Sequence, residues 1–429
     1  VSRGDHRSEV LVVGAGLAGL SAADRLVRAG VQVRVLEASS GVGGRVRGEW
    51  SGQRLVDVGA EFFGGPHRRI RALITALGLR IQPAELERAP VLWRLPERHR
   101  VTRLPPLPLP ELWHLGRAWW QLRRHALKLD PDRPWDCPAA TGLDEASLAD
   151  WLASHGATER GLEVTEALVG GFATRPIGQV SAAHAAWWIT AADGLLAAWR
   201  SGQQYVVDGG AHQIPHRLAD RLGDRIMTGT PVTTITEHRD GVVLGTGERQ
   251  WAADAAILAI PLPALRHMAI DPPPAPGLRE AIEQLSYGHA VKIAATARRT
   301  PPVAHRAVVG GQPLAIAWRH GRTLAGIATT EATGDALSND LATAFGLAPD
   351  DLTGTAVTDW THEPGIGGSY LVYAPGQLTG HAPALHHSRP TRIRYAGADF
   401  SSWLNSMEGA VQSGQAAAAD LLAAPRTLA

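Results

Sequence analysis

The sequence predicts a mixed α/β protein, α+β overall. One parallel-sheet domain is assembled from separated segments, and a second domain of mixed sheet and helices is inserted into it. Three observations carry that prediction. An apolar run, a glycine-spaced loop and a helical pattern open the chain as a βαβ unit over residues 9–37. Strand texture returns at 203–260 and again at 392–398. Between these lie a helical, tryptophan-rich stretch at 73–202 and alternating strands after 276. At 429 residues the chain also exceeds the size at which a single core usually keeps growing.

The first strand is "EVLVV", a short continuous apolar run. Gly14, Gly16 and Gly19 follow it. Leu17, Leu20, Ala23 and Val27 then keep helical spacing as far as Gly30, which reads as a C-cap. "VQVRVLE" alternates as a second strand and ends on Glu37. A G-x-G-x-x-G loop between strand and helix lets backbone N–H groups approach a pyrophosphate where the helix dipole favours negative charge. An acid closing the second strand takes ribose hydroxyls and disfavours a 2′-phosphate. Six residues on comes Gly43-Gly44-Arg45. It reads either as a glycine-rich turn with a solvated arginine or as a second close approach, which a larger dinucleotide lying extended would need.

From 73 to 202 the texture is helical, with a proline-rich joint "LPPLPLPELW" and tryptophans at 113, 119, 120, 151, 187, 188 and 199. Residues 111–129 are amphipathic and basic through Arg117, Arg123, Arg124 and Lys128. Such a segment suits a membrane surface, but a domain helix packing its tryptophans inward is the preferred reading. "QQYVV", "PVTTI", "GVVLG" and "AAILAIP" read as strands, and "DPPPAPG" (271–277) as a domain crossing. "AVKIAATA", "PLAIAWRH" and "TLAGIATT" are further strands, a helix is expected near 337–346, and "RIRYAGA" is the last strand.

Lys plus Arg is 42 and Asp plus Glu is 41, a net charge of +1, so nothing favours a nucleic-acid partner. The one cysteine, Cys137, excludes an internal disulfide and a cysteine-based metal site, and fits a reducing compartment. Eight polar residues precede the first apolar run with no secretory core, and no stretch approaches 18 uninterrupted apolar residues. A soluble cytoplasmic protein without a transmembrane segment is therefore expected. The histidines, among them His362, His386 and His387, show no metal-binding spacing and read as loop residues.

"VVGAGLAGL…LEASSGVGGR" resembles the N-terminus of the flavin-dependent amine oxidases, the superfamily of monoamine, polyamine and L-amino-acid oxidases. "DVGAEFFGGPH", "DGGAHQIPHRLADRLGDRIMTGTPVTTI", "AAILAIPLPAL", "DWTHEPGIGGSY" and "YAGADFSSWLNSMEGAVQSGQAAAADLL" resemble its later blocks, in order along essentially the whole chain. The resemblance implies FAD in a Rossmann-like domain formed by 1–72, 203–275 and 388–429. The substrate-binding domain is then 73–202 and 276–387. It implies oxidation of a carbon–nitrogen bond, a hydride passing to the flavin and dioxygen becoming hydrogen peroxide.

Residue by residue, the resemblance assigns Gly14, Gly16, Gly19, Glu37, Gly43, Gly44, Arg45, Val232, Asp399, Met407 and Glu408 to the cofactor. Asp399 stands where a glutamate is usual, near the ribityl chain, and Val232 is placed at the adenine. Met407 and Glu408 open the last helix, over which the flavin ring lies, and Gly409 is tolerated there because a ring packs against backbone. Ser39 replaces an arginine often found after the ribose-binding acid. Lys292 matches a lysine that holds water at flavin N5; read alone, it is a solvent-facing strand residue. Ser369 takes the place of a flavin-linking cysteine, so FAD is expected to be non-covalent. Trp360 and Tyr370 complete the catalytic set, Tyr370 as one wall of an aromatic cage. Ser406 stands where the other wall belongs, with Trp403 three residues before it as a candidate substitute.

The expected donor is therefore an amine bulkier than a small aryl-alkyl monoamine, an amino acid or a tailored metabolite, with O2 as acceptor. Arg175, Arg200 and Arg319 are candidates for a substrate carboxylate, and a homodimer is left open. Carbon–carbon dehydrogenation within the superfamily and a non-catalytic flavin-binding interaction protein are the alternatives.

Overall fold

A computed structural model of the chain describes residues 8–86, 89–96, 98–192, 194, 203–247, 249–386, 391–403 and 405–423. The opening βαβ unit is β1 (Ser8–Val13), α1 (Leu17–Arg28) and β2 (Val33–Leu36). Both strands are buried, as a parallel sheet covered on two faces requires. α1 ends in a Schellman turn, in which Gly30 N donates to Val27 O and Val31 N to Leu26 O. Gly30, with φ 84°, is therefore the residue after the C-cap Ala29. β1 pairs in parallel with β2 and with β3 (Arg249–Leu258), and β3 pairs in parallel with Ile393–Tyr395. Ile226–Met227 closes one side, and the antiparallel strands Gly241–Thr246 and Thr234–His238 lead to Ala269–Asp271 on the other. Sequence far along the chain, with Ala253 opposite Ser8, thus returns to lie beside β1.

A second, seven-stranded sheet contains β4 (Val291–Ala297), β5 (Ile316–His320) and β6 (Leu352–Asp359). β4 lies between β6 and Thr323–Ala328, antiparallel to both. Every residue of β4 is buried, so the alternation that makes Lys292 a solvent-facing residue fails. Val91–Leu95 and Arg98–Thr102 form a hairpin on the far edge of this sheet, where the sequence shows helical texture. The strand expected at "QQYVV" pairs with Ile81–Pro83 as a small ribbon outside the first sheet.

The fold class is therefore mixed α/β, with a large parallel-rich sheet and a separate mixed sheet. Helices cover both. α1 backs the first sheet, α2 (Arg68–Ala76) joins the same apolar core, and α3 (Leu109–Ala126) and α4 (Ala182–Ala191) pack together in the helical segment. Trp151 and Trp187 are buried there as expected, but on α3 Trp113 is 71 % and Trp120 49 % exposed. The inward reading of that helix fails at these two residues because the core-facing positions belong to Leu115, Ala118 and Leu122. Trp199 lies outside the described residues. The final helix, α5 (Met407–Ala423), packs against α1 so closely that a Cβ on Gly414 would stand 2.1 Å from Ala18 O. Among the described residues no helix is long and apolar enough to cross a membrane, and no cluster of three His, Cys, Asp or Glu side chains could hold a metal.

Candidate active site

A cavity of about 940 Å³ runs from the glycine loop after β1 to the face of the second sheet. At its first end the three glycines divide their tasks. Cβ atoms on Gly14 and Gly19 would meet Ala259 O at 2.7 Å and Gly14 O at 2.0 Å, so these two serve packing. A Cβ on Gly16 would meet nothing within 4 Å and would intrude on the cavity, at the N-cap of α1. Gly43 forms a bridge with Gly16, and its N–H donates to Ala15 O at 2.9 Å. The two glycine loops thus make one wall, on which Gly44 also lies. Glu37 faces the same space. Its carboxylate accepts from Ala15 N at 2.6 Å and from Ser39 N and Oγ at 2.8 and 2.7 Å. Ser39 therefore fixes Glu37. Val232 lines the same end.

Midway, Arg45 donates to Ser369 O at 3.0 Å, lies 5.3 Å over the Tyr287 ring and approaches Asp399 at 3.7 Å. Tyr287 also donates to Asp399, and burial followed by that neighbouring charge pushes its phenol well above the usual range. Ser369 Oγ is bonded to Thr174 Oγ1 at 2.6 Å. Across from them starts α5. Ser406 is its N-cap: the hydroxyl donates to Trp403 O at 2.7 Å and accepts from Gly409 N at 3.1 Å. Met407 lines the cavity just inside that cap.

The far end carries the titratable pair. Lys292 Nζ donates to Glu61 Oε2 at 2.7 Å and to Gly59 O at 2.8 Å, while Trp318 Nε1 donates to Glu61 Oε1 at 2.5 Å. Phe62 packs edge-on against Trp318, with ring centroids 5.5 Å apart. Trp360 donates to Val58 O at 2.9 Å and lies under Arg47, which is itself paired with Glu363 at 2.6 Å. Tyr370 donates to Phe172 O, and burial raises its phenol above the ordinary value. Glu61, Lys292, Trp318, Trp360, Tyr370 and Phe172 all line the cavity. A glycine-rich, helix-capped end that suits phosphates is thus joined to an aromatic end holding a buried ion pair.

The family model for flavin containing amine oxidoreductases matches residues 17–422. The chain belongs to the flavin-containing amine oxidoreductase family. The AofH protein of Mycobacterium tuberculosis (strain ATCC 25618 / H37Rv) is 31% identical, covering 97% of this chain and 96% of its own. An L-amino acid dehydrogenase of Synechocystis sp. (strain ATCC 27184 / PCC 6803 / Kazusa) is 28% identical, covering 96% of this chain and 94% of its own. The solved structure of cyclohexylamine oxidase from Brevibacterium oxydans IH-35A is 25% identical with a TM-score of 0.86, covering 96% of this chain and 98% of that one. The family is flavin-containing, which implies FAD, and the open cradle over Gly16 beside Glu37 fits a dinucleotide.

Within this family member, several expected residues do other work. Glu408 turns its carboxylate onto α2, accepting from Arg69 N at 3.0 Å and Ile70 N at 2.8 Å, so its side chain caps a helix. Gly409 makes room for the Trp403 carbonyl, which an added Cβ would approach to 2.0 Å; a flavin ring is not needed to explain it. Trp403, the candidate second cage wall, packs edge-on against His67 at 4.9 Å and is not among the residues that line the cavity. Asp399 is almost fully buried behind Gly397 and Ala398, which line the cavity, and its Oδ1 is without a partner among the described residues. Arg175 donates to the carbonyls of Val372 and Ser286, and Arg319 to those of His305 and Val303, so both serve backbone. Arg200 and His387 lie outside the described residues. His386 ends a helix, stacked on Trp135 with centroids 4.2 Å apart, and is no loop residue.

Sequence reasoning missed Glu61, Trp318, Phe62 and Phe172. For Glu61 a signal existed. It is the single acid in "VGAEFFGG", and Lys292 is the single cation in "AVKIAATA". Charges isolated in apolar runs must find each other when buried.

Proposed function

We propose that this chain is an FAD-dependent amine oxidase holding its cofactor non-covalently. The observation that carries the reading is one cavity joining the Gly16 cradle to the Lys292–Glu61 pair. The α1 N-terminus, Gly16 and Gly43-Gly44-Arg45 would hold the pyrophosphate, with Gly14 and Gly19 packing the loop that presents Gly16, Glu37 the ribose, and Val232 the adenine end. Met407 and the start of α5 would back the ring system, where helix N–H groups favour the charge of a reduced flavin. Bound FAD would supply two-electron redox chemistry, which converts an amine and O2 to an imine and hydrogen peroxide.

The chain's own residues do the rest. Trp318, Trp360, Phe62 and Tyr370 exclude water and orient the donor, the Tyr370 ring being fixed through Phe172 O. Lys292 holds a proton and positions water at the reacting end, and Glu61 fixes the lysine. Ser369 offers a hydroxyl hydrogen-bonded to Thr174 and has no sulfur from which a thioether could form. We also assign the first sheet to the cofactor domain and the second, with the helical segment, to the substrate domain.

The test is anaerobic bleaching of the visible flavin band by a panel of monoamines, polyamines and amino acids, followed by readmission of air. Bleaching by one class and recovery in air support the reading. Absence of bleaching by every donor would favour a second reading, carbon–carbon dehydrogenation. That reading is motivated by Ser406, whose side chain is committed to capping and leaves the cage one-sided.

A further inference from the structure

Three fully cationic side chains line the cavity among the described residues, and each has a carboxylate partner. Arg45 approaches Asp399 at 3.7 Å, Arg47 pairs with Glu363 at 2.6 Å and Glu49 at 3.3 Å, and Lys292 pairs with Glu61 at 2.7 Å. The last pair is the most buried, with side chains 4 % and 10 % exposed. Glu61 is held at both carboxylate oxygens. Its second oxygen accepts the Trp318 indole N–H at 2.5 Å, and the lysine lies 5.1 Å from that ring. A buried ammonium facing the cavity alone would draw in anions, because charge acts strongly where water is excluded. Paired at this distance, its field over the neighbouring space is largely cancelled.

We propose that Glu61 determines substrate charge. By holding Lys292 in a neutral pair, it makes the reacting end accept amines that lack a carboxylate and turn away α-amino acids. This rests on the amine chemistry proposed above and adds the donor class. An amino-acid donor needs a cation for its carboxylate; Arg175 and Arg319 are spent on backbone carbonyls, and Arg45 and Arg47, which line the cavity, are already paired with Asp399 and Glu363. Glu61→Gln leaves an acceptor for Trp318 and nearly the same volume while removing the countercharge, so Lys292 then faces the cavity as an unbalanced cation.

The experiment uses the FAD-loaded enzyme at pH 7 and reads ligand binding by perturbation of the flavin absorption. Benzoate is the anionic probe and benzamide its neutral counterpart. Glu61→Gln is expected to tighten benzoate by at least about tenfold while benzamide changes by less than about twofold, the asymmetry expected of a charge effect in a low-dielectric site. The ratio of kcat/KM for α-amino acids over amines should rise in the same variant. If Glu61→Gln does not load FAD, Lys292→Met and the double variant Glu61→Gln/Lys292→Met replace it. Lys292→Met leaves a lone carboxylate, so benzoate should bind more weakly to it than to the double variant.

Unchanged benzoate affinity, an equal change for benzamide, or no benzoate binding in any variant overturns the proposal. The two readings fail separately. Amines that bleach the flavin with benzoate unaffected leave the amine chemistry standing and remove the role of Glu61. Tightened benzoate binding without amine bleaching does the reverse.

Discussion

In the proposed chemistry, Lys292 is the residue that holds the proton at the reacting end. It sits near the start of an all-buried strand, and its ammonium is held by Glu61 and by the Gly59 carbonyl. Lys292→Met removes the proton-holding group and also strands a buried carboxylate. The two consequences have different signatures. Half-reaction rates measured by stopped flow should fall about 10²-fold or more, the scale of a positioned acid–base group. Melting should also fall, because one partner of a buried pair costs about 3–5 kcal/mol when left alone. Adding Glu61→Gln should restore much of the melting temperature and none of the rate. Rates unchanged in Lys292→Met with FAD retained would remove the lysine from the mechanism.

At the scale of elements, two glycines at two helix starts make opposite demands. Gly409 in the first turn of α5 gives space to the Trp403 carbonyl, and that loop supplies the acceptor for the capping hydroxyl of Ser406. Gly16 at the start of α1 gives space to the cavity. Gly409→Ala should therefore destabilise the protein by roughly 1–3 kcal/mol, the range for forced overpacking. Gly16→Ala should leave apo-protein stability within about 1 kcal/mol and lower FAD affinity. Thermal melts of apo-protein and FAD titrations check both; weakened FAD binding in neither variant would remove Gly16 from the cradle. The βαβ unit was legible because its strand, loop and helix each carry a local signal, and the Schellman turn at Gly30 follows the same logic. Gly409 was not legible, because its neighbour is a carbonyl six residues earlier in a non-repeating loop. Nor was the burial of Lys292, since alternation describes a strand with one wet face and β4 has none. On α3, composition alone does not distinguish Trp113 from a core residue; the leucine and alanine positions settle which face turns inward.

Across the whole molecule, the cavity draws its walls from both sheets and from sequence as far apart as Val13 and Ala410. A cofactor bound there would add contacts among segments that packing, hydrogen bonds and ion pairs already join. Because it binds the folded chain alone, it should stabilise by mass action, about 2.7 kcal/mol at a hundredfold excess over its dissociation constant. For a chain of 429 residues the unfolding entropy is roughly 0.9 kcal/mol per kelvin, so that stabilisation corresponds to a shift of about 3 °C. The expected result is a melting temperature that climbs with added FAD and saturates near or above this shift. If FAD is held non-covalently as proposed, denaturation should then release the whole flavin into the supernatant, since Ser369 has no thiol and its hydroxyl is hydrogen-bonded to Thr174. Flavin that stays with the denatured chain would place a covalent bond elsewhere on the protein. A melting temperature indifferent to FAD would mean that the Gly16 cradle and the Lys292 end do not share one ligand, and the proposed chemistry would lose its foundation.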